Sequence, residues 1–444
     1  MVNPGRPSQT KALDLWMNGV LVGTWSVTRA SHLFSYAQTW LRHDQARPIS
    51  LSLPLAQGTT PFLGGIVESF FDNLLPENPN TRQRIAEQFG ARADRAFDLL
   101  EQIGRDCAGA IQLVPAGYAP TDIHRILADP LDEQAVERLL DQAVARVPYR
   151  IVEGDFRISL AGAQDKIALL VHEGQWCLPR GSTPTTHILK LPMGRVPAGI
   201  DLTTSVENEW LCARIVQAFG IPVAASHIEH FGRHTVLVVT RFDRLWQGTW
   251  LARIPQEDFC QALGVPASKK YQSDGGPGID AILDILRGSS RAEIDRRDFL
   301  KAQLIFWLLG APDGHAKNFS ILLRQGGLFD LAPLYDILSA WPHTGAGPRL
   351  FDERKLKLAM GVRGEKSLHY RLTEIRRQHW NITAKRKALG LDFEDVIQDV
   401  LDKVPAVLEN LPKLLPSDFP KSVSDPIFIG MRRQADRLEK MPKS

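Results

Sequence analysis

Three side chains in the second half of the chain have the types and the spacing that phosphoryl transfer requires. Asp313 and Asn318 lie five residues apart in a glycine-containing loop, and Asp336 follows the asparagine by eighteen residues. In-line transfer needs one carboxylate to orient and deprotonate the accepting hydroxyl. It also needs an amide oxygen and a second carboxylate to hold Mg²⁺ on the phosphates. Asp313, Asn318 and Asp336 supply that set.

The surroundings of this loop favour a catalytic site over the common alternative, a plain turn rich in Asp, Asn and Gly. Apolar residues recur at helical spacing just before the loop, at Leu300, Leu304, Trp307 and Leu308. This spacing predicts a buried helix, which we expect Pro312 to end, so that Asp313 is rigidly placed. His315 and Lys317 make the loop basic, which suits an anionic phosphate, although a solvated loop would have the same composition.

The composition of the chain bounds its class. With 444 residues, a net charge of +3 and ordinary apolar and charged fractions, it predicts two or three globular domains without a wholly cationic nucleic-acid coat. No glycine directly precedes a lysine, which excludes a Walker A loop, and neither G-x-S-x-G nor H-E-x-x-H occurs. The cysteines form no C-x-x-C pair, and we expect buried reduced thiols at Cys107, Cys177, Cys212 and Cys260.

The N-terminal residues and the hydropathy predict a cytoplasmic protein. Residues 1–11 lack the apolar stretch of a signal peptide and are expected to form a disordered tail. No apolar run reaches the length of a membrane span, so we expect no association with a membrane.

Strand and helix patterns predict an α/β (α+β) chain with two kinase-like lobes behind an N-terminal module. Residues 12–147 would form that module, with 119–147 as a connector. Residues 148–243 contain short strand patterns around one helical segment, the plan of a mixed, ATP-binding small lobe. In residues 244–444 strand patterns fade, which predicts a mostly α large lobe. Its helices are expected at about 281–288, 294–309, 393–410 and 427–440.

The small lobe offers candidates for the nucleotide end of such a site. Lys190 lies in an otherwise apolar strand, where a charge needs a partner, although a lysine at a strand end is the alternative. Glu209 on the following helix could pair with Lys190, and Glu207 competes for that role. Residues 159–166, Ser-Leu-Ala-Gly-Ala-Gln-Asp-Lys, precede the first strand, where a loop would cover the phosphates. Small residues let backbone N–H groups approach an anion, but G-x-G-x-x-G is not matched and a plain turn is the alternative.

Short motifs spread over nearly all of the chain carry a resemblance to a known family. They are Phe-Phe-Asp-Asn-Leu-Leu-Pro at 70–76, Ile-Gly-Arg-Asp at 103–106, residues 155–164, Ile-Leu-Lys-Leu-Pro at 188–192, Arg-Phe-Asp-Arg at 241–244, Ser-Asp-Gly-Gly-Pro-Gly at 273–278, residues 313–318, Tyr-Asp-Ile at 335–337 and Lys-Leu-Ala-Met-Gly at 357–361. On these motifs the chain closely resembles the HipA-type serine/threonine kinase toxins. The resemblance implies the toxin of a bacterial toxin–antitoxin pair. Such a toxin phosphorylates a serine of glutamyl-tRNA synthetase and causes growth arrest and persistence.

The resemblance also implies roles for single residues. Asp313 would be the base, Asn318 and Asp336 the Mg²⁺ ligands, and Lys190 the phosphate contact. Ser159 matches a serine whose autophosphorylation silences the kinase, since phosphate adds about −1.5 to −2 charges beside sites meant for ATP phosphates. The residues expected to border ATP are Ala161, Gly162, Ala163, Gln164, Asp165, Lys166, Lys190, Thr240, Arg241, Phe242, His315, Ala316, Lys317, Asn318, Tyr335 and Asp336.

The partners that the resemblance implies are a helix-turn-helix antitoxin, operator DNA and the protein substrate. Lys385 and Arg386 match a direct DNA contact of the family, although a solvated basic helix end explains them equally well. The competing function is a catalytically inactive corepressor that binds DNA with its antitoxin. Four intact residues count against that reading: Asp313, Asn318, Asp336 and Lys190.

Overall fold

The structure is a computed structural model that describes residues 11–28, 31–145, 164–195, 199–387, 389 and 393–443. Several predictions therefore fall outside the described residues: most of the N-terminal tail, Ser159, and the loop residues Ala161, Gly162 and Ala163. Within the described ranges, no helix combines the length and apolar character that crossing a membrane requires. All four cysteines are buried and free, as predicted.

The N-terminal module is a five-stranded antiparallel sheet packed against short helices. Its elements are β1 (Lys11–Met17), β2 (Val20–Thr28), β3 (Ser31–Tyr36), α1 (Gln38–Leu41), β4 (Phe62–Leu63), α2 (Gly65–Asp72), α3 (Pro79–Phe89), α4 (Ala96–Ile103) and β5 (Ile111–Pro115). The strand order is β4-β3-β2-β1-β5. The β1–β2 turn is made by Asn18 and Gly19, both at positive φ, as a tight Asn-Gly hairpin requires. Trp25 stacks on Phe71 at 3.9 Å between ring centroids and fixes α2 on the sheet.

The small lobe is built on a six-stranded antiparallel sheet. Its elements are β6 (Ala128–Pro130), α5 (Glu133–Ala145), β7 (Lys166–His172), β8 (Gln175–Pro179), β9 (His187–Lys190), β10 (Gly194–Arg195), β11 (Asp201–Leu202), α6 (Ser205–Ala218), β12 (Ser226–Phe231) and β13 (His234–Thr240). The order β12-β13-β9-β7-β8-β6 places β9 in the middle of the sheet. A central strand is a rigid support for Lys190 at its end.

The segment 119–147 is more than a connector. Strand β6 pairs with β8, and α5 buries Val136 and Leu140 in the same apolar cluster as Leu169 and Leu189 of the sheet. Because an amphipathic helix is stable when its apolar face is buried, α5 packs that face on the sheet instead of crossing the solvent between two domains. We therefore propose that the small lobe begins before residue 128 rather than at 148.

The large lobe is mostly α, as predicted, and carries small antiparallel sheets at its boundary with the rest of the molecule. Its elements are β14 (Arg244–Gln247), β15 (Trp250–Arg253), β16 (Gln256–Asp258), α7 (Phe259–Ala262), α8 (Ile279–Ile285), α9 (Ala292–Leu309), β17 (Ser320–Leu323), β18 (Phe329–Leu331), β19 (Lys357–Arg363), β20 (Leu368–Arg371), α10 (Arg377–Arg386), α11 (Phe393–Asn410) and α12 (Lys421–Glu439). The predicted buried helix is α9. It ends at Leu309 because Gly310 adopts the left-handed region (φ 57°), so Pro312 lies beyond the end.

Helix α6 joins the two lobes. Its apolar residues Leu211, Cys212, Ile215 and Phe219 belong to the same buried cluster as Trp307 of α9. One face of α6 is thus buried in the core of the large lobe. This close packing keeps the side chains on the other face of α6 at a fixed distance from the loops of the large lobe.

Candidate active site

A cavity of ≈ 250 Å³ lies where the N-terminal module, the small lobe and the large lobe meet. The small lobe lines it with Lys190 of β9, and the large lobe lines it with Asp313, Asn318 and Asp336. The three side chains of the predicted phosphoryl-transfer set therefore line one cavity, although they come from two separate loops.

Lys190 is held by two carboxylates. Its buried Nζ donates to Glu209 Oε1 at 2.6 Å and to Asp336 Oδ1 at 2.8 Å. The Glu209 pair was one of two alternatives and is confirmed, whereas Glu207 on the same helix makes no ion pair with Lys190. Burial disfavours the charge on Lys190, but Asp336 and Glu209 outweigh it and raise the pKa of this lysine. Burial likewise opposes ionisation of Asp336, yet Lys190 lowers the pKa of that carboxyl to about 2. Both groups are charged at neutral pH.

Asp336 adopts a backbone conformation that L-residues seldom take. Its φ is +62°, in the left-handed region. The flanking residues keep it there: the backbone of Leu334 bonds to Pro222 and Ala224, and the Tyr335 hydroxyl lies 2.6 Å from Ser320 Oγ. Such strain costs on the order of 1 kcal/mol or more and persists where the surrounding structure over-determines it, often at functional sites.

The loop after α9 is ordered by its own hydrogen bonds. Asn318 Nδ2 and the His315 N–H both donate to the Asp313 carbonyl at 2.8 Å. Because Nδ2 is used in this way, Oδ1 of Asn318 is the amide atom left to bind a cation. The Asp313 carboxylate is half-exposed and accepts a hydrogen bond from Tyr271 Oη at 2.5 Å. A half-exposed carboxylate beside an ordered amide is accessible to a second molecule.

A second lysine lies beside Lys190. Lys166, at the start of β7, is partly buried and lines the cavity. Burial, together with the positive charge of Lys190, lowers the pKa of Lys166 to about 8. Two neighbouring lysines that line one cavity would be stabilised by a bound polyanion.

The residues that the sequence predicts to border ATP, and that the structure describes, divide into two groups. Those that line the cavity are Gln164, Lys166, Lys190, Thr240, Arg241, Phe242, His315, Lys317, Asn318, Tyr335 and Asp336. Asp165 and Ala316 are not part of this lining: the Asp165 carboxylate lies 3.8 Å from Arg84 Nη2, and Ala316 is fully buried.

Two of the lining residues use their charged groups elsewhere. Lys317 Nζ donates to Asp258 at 2.7 Å and to Asn73 Oδ1 at 2.8 Å. The Arg241 guanidinium donates to Asp243 at 2.8 Å and lies in a buried network beneath the cavity. Their basic side chains therefore support the walls of the cavity.

Sequence reasoning missed the contribution of the N-terminal module and of the segment before α8. Asn73 and Glu77 follow α2 and line the cavity, and Glu77 pairs with Lys270 at 2.6 Å. Tyr271 bonds to Asp313. These residues carry no local pattern of a kinase site, and only the polar Asn and Glu around an apolar Leu-Leu-Pro run could have indicated a buried polar role.

The basic cluster around α10 is only partly exposed. Arg377 is buried and binds Glu394, and Lys387 binds Asp284. Lys385 and Arg386 are exposed at the C-terminal end of the helix, where Arg386 donates to the Glu365 carbonyl. The two residues predicted to contact DNA are thus accessible, as is Arg376 at the N-terminal end of the helix.

Comparison with known proteins identifies the family. The family model described as "HipA-like C-terminal domain" matches residues 158–408, and "HipA N-terminal domain" matches 13–114. "Putative kinase Y4mE" of Sinorhizobium fredii is 34% identical over 411 residues, which are 90% of this chain and 92% of the relative. "Serine/threonine-protein kinase toxin HipA" of Shewanella oneidensis is 29% identical over 384 residues, 81% of this chain and 80% of the relative.

A solved structure shares the fold. Shewanella oneidensis HipA, in a complex with HipB and operator DNA, superposes with a TM-score of 0.77 at 23% identity and covers 97% of this chain and 98% of that one. The predicted two-lobed, kinase-like fold with an added N-terminal module is confirmed by this match. The chain therefore belongs to the HipA family of serine/threonine kinase toxins.

Proposed function

We propose that this chain is an ATP-dependent protein kinase that transfers the γ-phosphoryl group to a serine of a target protein. The observation that carries the proposal is the joint placement of Lys190, Asp336, Asn318 and Asp313 at one cavity, with Lys190 2.8 Å from Asp336. A catalytically inactive relative would have no need to keep these charged groups together at the free-energy cost of burial.

The lining of the cavity combines apolar side chains that suit a purine with basic side chains that suit phosphates. Ile188, Val239, Phe242 and Leu338 give it an apolar wall below the central strands, as a nucleotide base requires. The two lysines, Lys166 and Lys190, lie at the same cavity and would balance the negative charge of phosphate oxygens. ATP is therefore a suitable ligand by shape and by charge.

The residues present also fit Mg²⁺. Among the described residues, no group of three or more His, Cys, Asp or Glu side chains could hold a metal ion alone. Mg²⁺ in kinase sites is held by one or two protein oxygens together with phosphate oxygens, and Asp336 and Asn318 Oδ1 would supply the protein oxygens. The bound ion would neutralise charge on the phosphates.

The chain's own side chains would then carry the transfer. The Asp313 carboxylate would orient the serine hydroxyl and accept its proton as the oxygen bonds to the γ-phosphorus, and ADP would leave. Lys190 would hold the phosphates in place while Glu209 keeps that lysine on the correct side of the cavity. Catalysis by positioning and charge is what phosphoryl transfer requires.

We further propose that the chain acts as the toxin of a cytoplasmic toxin–antitoxin pair. Family membership and the Shewanella HipA complex with HipB and operator DNA support a helix-turn-helix, HipB-like antitoxin as partner. By the family resemblance alone, the proposed substrate is glutamyl-tRNA synthetase, whose phosphorylation would cause growth arrest and persistence. Ser159 would be autophosphorylated, and Lys385 and Arg386 would contact operator DNA.

The proposal is tested by incubating the purified protein with labelled ATP, Mg²⁺ and glutamyl-tRNA synthetase. We expect label on a serine of the synthetase and on Ser159, located by peptide mass spectrometry. An Asp336→Asn variant serves as control and should transfer no label. A parallel reaction adds labelled ATP and the wild type to a cell lysate. Label in no protein of either reaction refutes the kinase proposal, whereas label only in other proteins of the lysate refutes the proposed substrate.

A further inference from the structure

The segment 269–278 contains a family motif and borders the cavity through Lys270, and the proposed mechanism has not yet assigned it a role. Tyr271 from this segment donates its hydroxyl proton to Asp313 Oδ1 at 2.5 Å. This is a short, charge-assisted hydrogen bond, a class that is roughly twice as strong as one between neutral groups. It acts directly on the side chain that the proposed mechanism uses as the base.

The Asp313 carboxylate depends on this contact for its orientation. In the described part of the chain, the Tyr271 hydroxyl is the one hydrogen-bond donor that the structure gives to this carboxylate. His315 Nε2 is next at 3.9 Å, too far for a hydrogen bond. With 52% of the Asp313 side chain exposed, packing alone does not select its rotamer.

Tyr271 is itself held by the backbone around it. Its carbonyl accepts from the Gly276 N–H at 3.0 Å, and a Cβ on Gly276 would lie 1.8 Å from the Lys269 carbonyl. Gln272 accepts from the Gly361 N–H of β19 at 2.8 Å. Only glycine fits at 276, so this part of the motif is explained by the close approach of two backbone segments.

The aromatic ring of Tyr271 is fixed by its neighbours. It meets His315 edge-on at 4.9 Å, and Lys270 Nζ lies 5.2 Å from its centroid. Lys270 in turn pairs with Glu77 of the N-terminal module at 2.6 Å. His315 and Lys270 therefore constrain the position of the ring that carries the hydroxyl.

We propose that Tyr271 is a positioning residue for phosphoryl transfer: its hydroxyl holds Oδ1 of Asp313 so that Oδ2 faces the substrate hydroxyl. The motif at 273–278 keeps Tyr271 in that place. This inference rests on the proposed kinase function and adds a residue to it. It makes the base part of a preset hydrogen-bonded pair, which lowers the cost of orienting it at each turnover.

The test compares Tyr271→Phe with wild type and with Tyr118→Phe. Tyr271→Phe removes the hydroxyl and keeps the ring. Tyr118 is 69% exposed and serves as the matched control for the same substitution. Initial rates of label transfer from ATP at varied ATP concentration give kcat and the KM for ATP, fluorescence titration gives ATP affinity, and peptide mass spectrometry locates the label. A second variant, Gly276→Val, displaces the segment and leaves the tyrosine present.

We expect Tyr271→Phe to lower kcat by roughly 10- to 100-fold, since small misplacements of a reacting group cost that much. ATP affinity and KM should stay within about twofold, because the hydroxyl bonds to the base and not to the phosphate-binding lysines. Gly276→Val should show the same loss of kcat, and Tyr118→Phe should match the wild type. If Tyr271→Phe does not fold, Gly276→Val decides the question.

Three results would overturn the inference. One is an unchanged kcat for Tyr271→Phe, and another is a loss confined to ATP affinity. The third is label on Tyr271 itself, which would make this residue an acceptor. Absence of transfer by the wild type is a different outcome, because it rejects the kinase proposal and this inference together.

Discussion

Asp106 ties the N-terminal module to the hinge between the lobes, which is the segment 240–244. Its replacement should destabilise the whole protein. The carboxylate is buried and accepts hydrogen bonds from Arg244 at 2.8 Å, Arg253 at 3.1 Å and Thr185 at 2.8 Å. Arg241 Nη1 lies 3.4 Å away. Asp106→Asn keeps the shape of the side chain and removes its charge, so it isolates the electrostatic contribution.

The magnitude follows from the charges that remain. Three buried guanidiniums share two carboxylates, Asp106 and Asp243, and the substitution leaves Asp243 alone. Removing one partner from a buried ion pair costs about 3–5 kcal/mol, because an uncompensated charge stays in a medium of low polarity. We therefore expect the free energy of unfolding to fall by about 3–5 kcal/mol, a large part of the stability of a typical domain.

The effect of pH has a defined sign. Burial opposes ionisation of Asp106, but the three arginines outweigh it and hold the pKa of this carboxyl well below its usual value of 3.8. A depressed pKa gives stability that is complete above the unfolded-state value and is lost as pH falls through the folded-state value. The difference between wild type and Asp106→Asn should therefore be constant from about pH 5 to 8 and shrink only below about pH 4.

The assay is urea unfolding followed by tryptophan fluorescence, with Asp129→Asn as the matched control. Asp129 pairs with Arg180 at the surface, where the two side chains are 42% and 52% exposed. Exposed pairs contribute about 1 kcal/mol or less, so this control should unfold close to the wild type. If Asp106→Asn lost no more stability than Asp129→Asn, the buried network would not be what joins the module to the hinge.

Two further predictions concern the nucleotide end of the cavity. Glu209→Gln should lower kcat/KM for ATP by roughly 10- to 100-fold, because Lys190 loses one of its two carboxylate partners. The control Glu207→Gln should stay within about twofold of the wild type. Equal activity of the two variants would show that the pair between Lys190 and Glu209 has no functional role. Since burial and Lys190 lower the pKa of Lys166 to about 8, its charged form is lost as pH rises through that value. The ATP affinity of the wild type, measured by fluorescence titration, should then decrease between about pH 7 and 9. Lys166→Arg stays charged over this range, so its ATP affinity should decrease less. The same pH dependence of ATP affinity in both proteins would contradict a role of Lys166 in binding phosphate.

Much of the site could be predicted from the sequence because its central residues lie in local patterns. Asp313 and Asn318 share one loop, the helix before it shows helical spacing, and Lys190 stands out as a charge in an apolar strand. Patterns of this kind can be recognised in the sequence, because each lies within a single helix, strand or loop and does not depend on contacts with distant segments. The sequence left two glutamates of the following helix, Glu207 and Glu209, as alternative partners of Lys190, and the structure selects Glu209.

The parts that sequence reasoning missed depend on contacts between distant segments. Lys317 looked like a phosphate ligand, but its ammonium group is bound by Asp258 and by Asn73 of the N-terminal module, which lies 244 residues away along the chain. Strands β16 to β18 have three or four residues each, too few for an alternating pattern to be recognised. Tyr271 carries no motif of its own, and only its distance from Asp313 reveals it.

The most direct test of the central claim is phosphate transfer by Asp313→Asn. General-base catalysis contributes about 10²–10⁴ in rate, whereas ATP binding depends on other residues of the cavity. With labelled ATP and Mg²⁺, we expect this variant to lose transfer by at least about 100-fold and to lose growth arrest on expression, with ATP affinity within roughly tenfold of the wild type. A variant that transferred phosphate at the wild-type rate would contradict the assignment of Asp313 as the base. A variant that lost transfer but still arrested growth would favour the corepressor function.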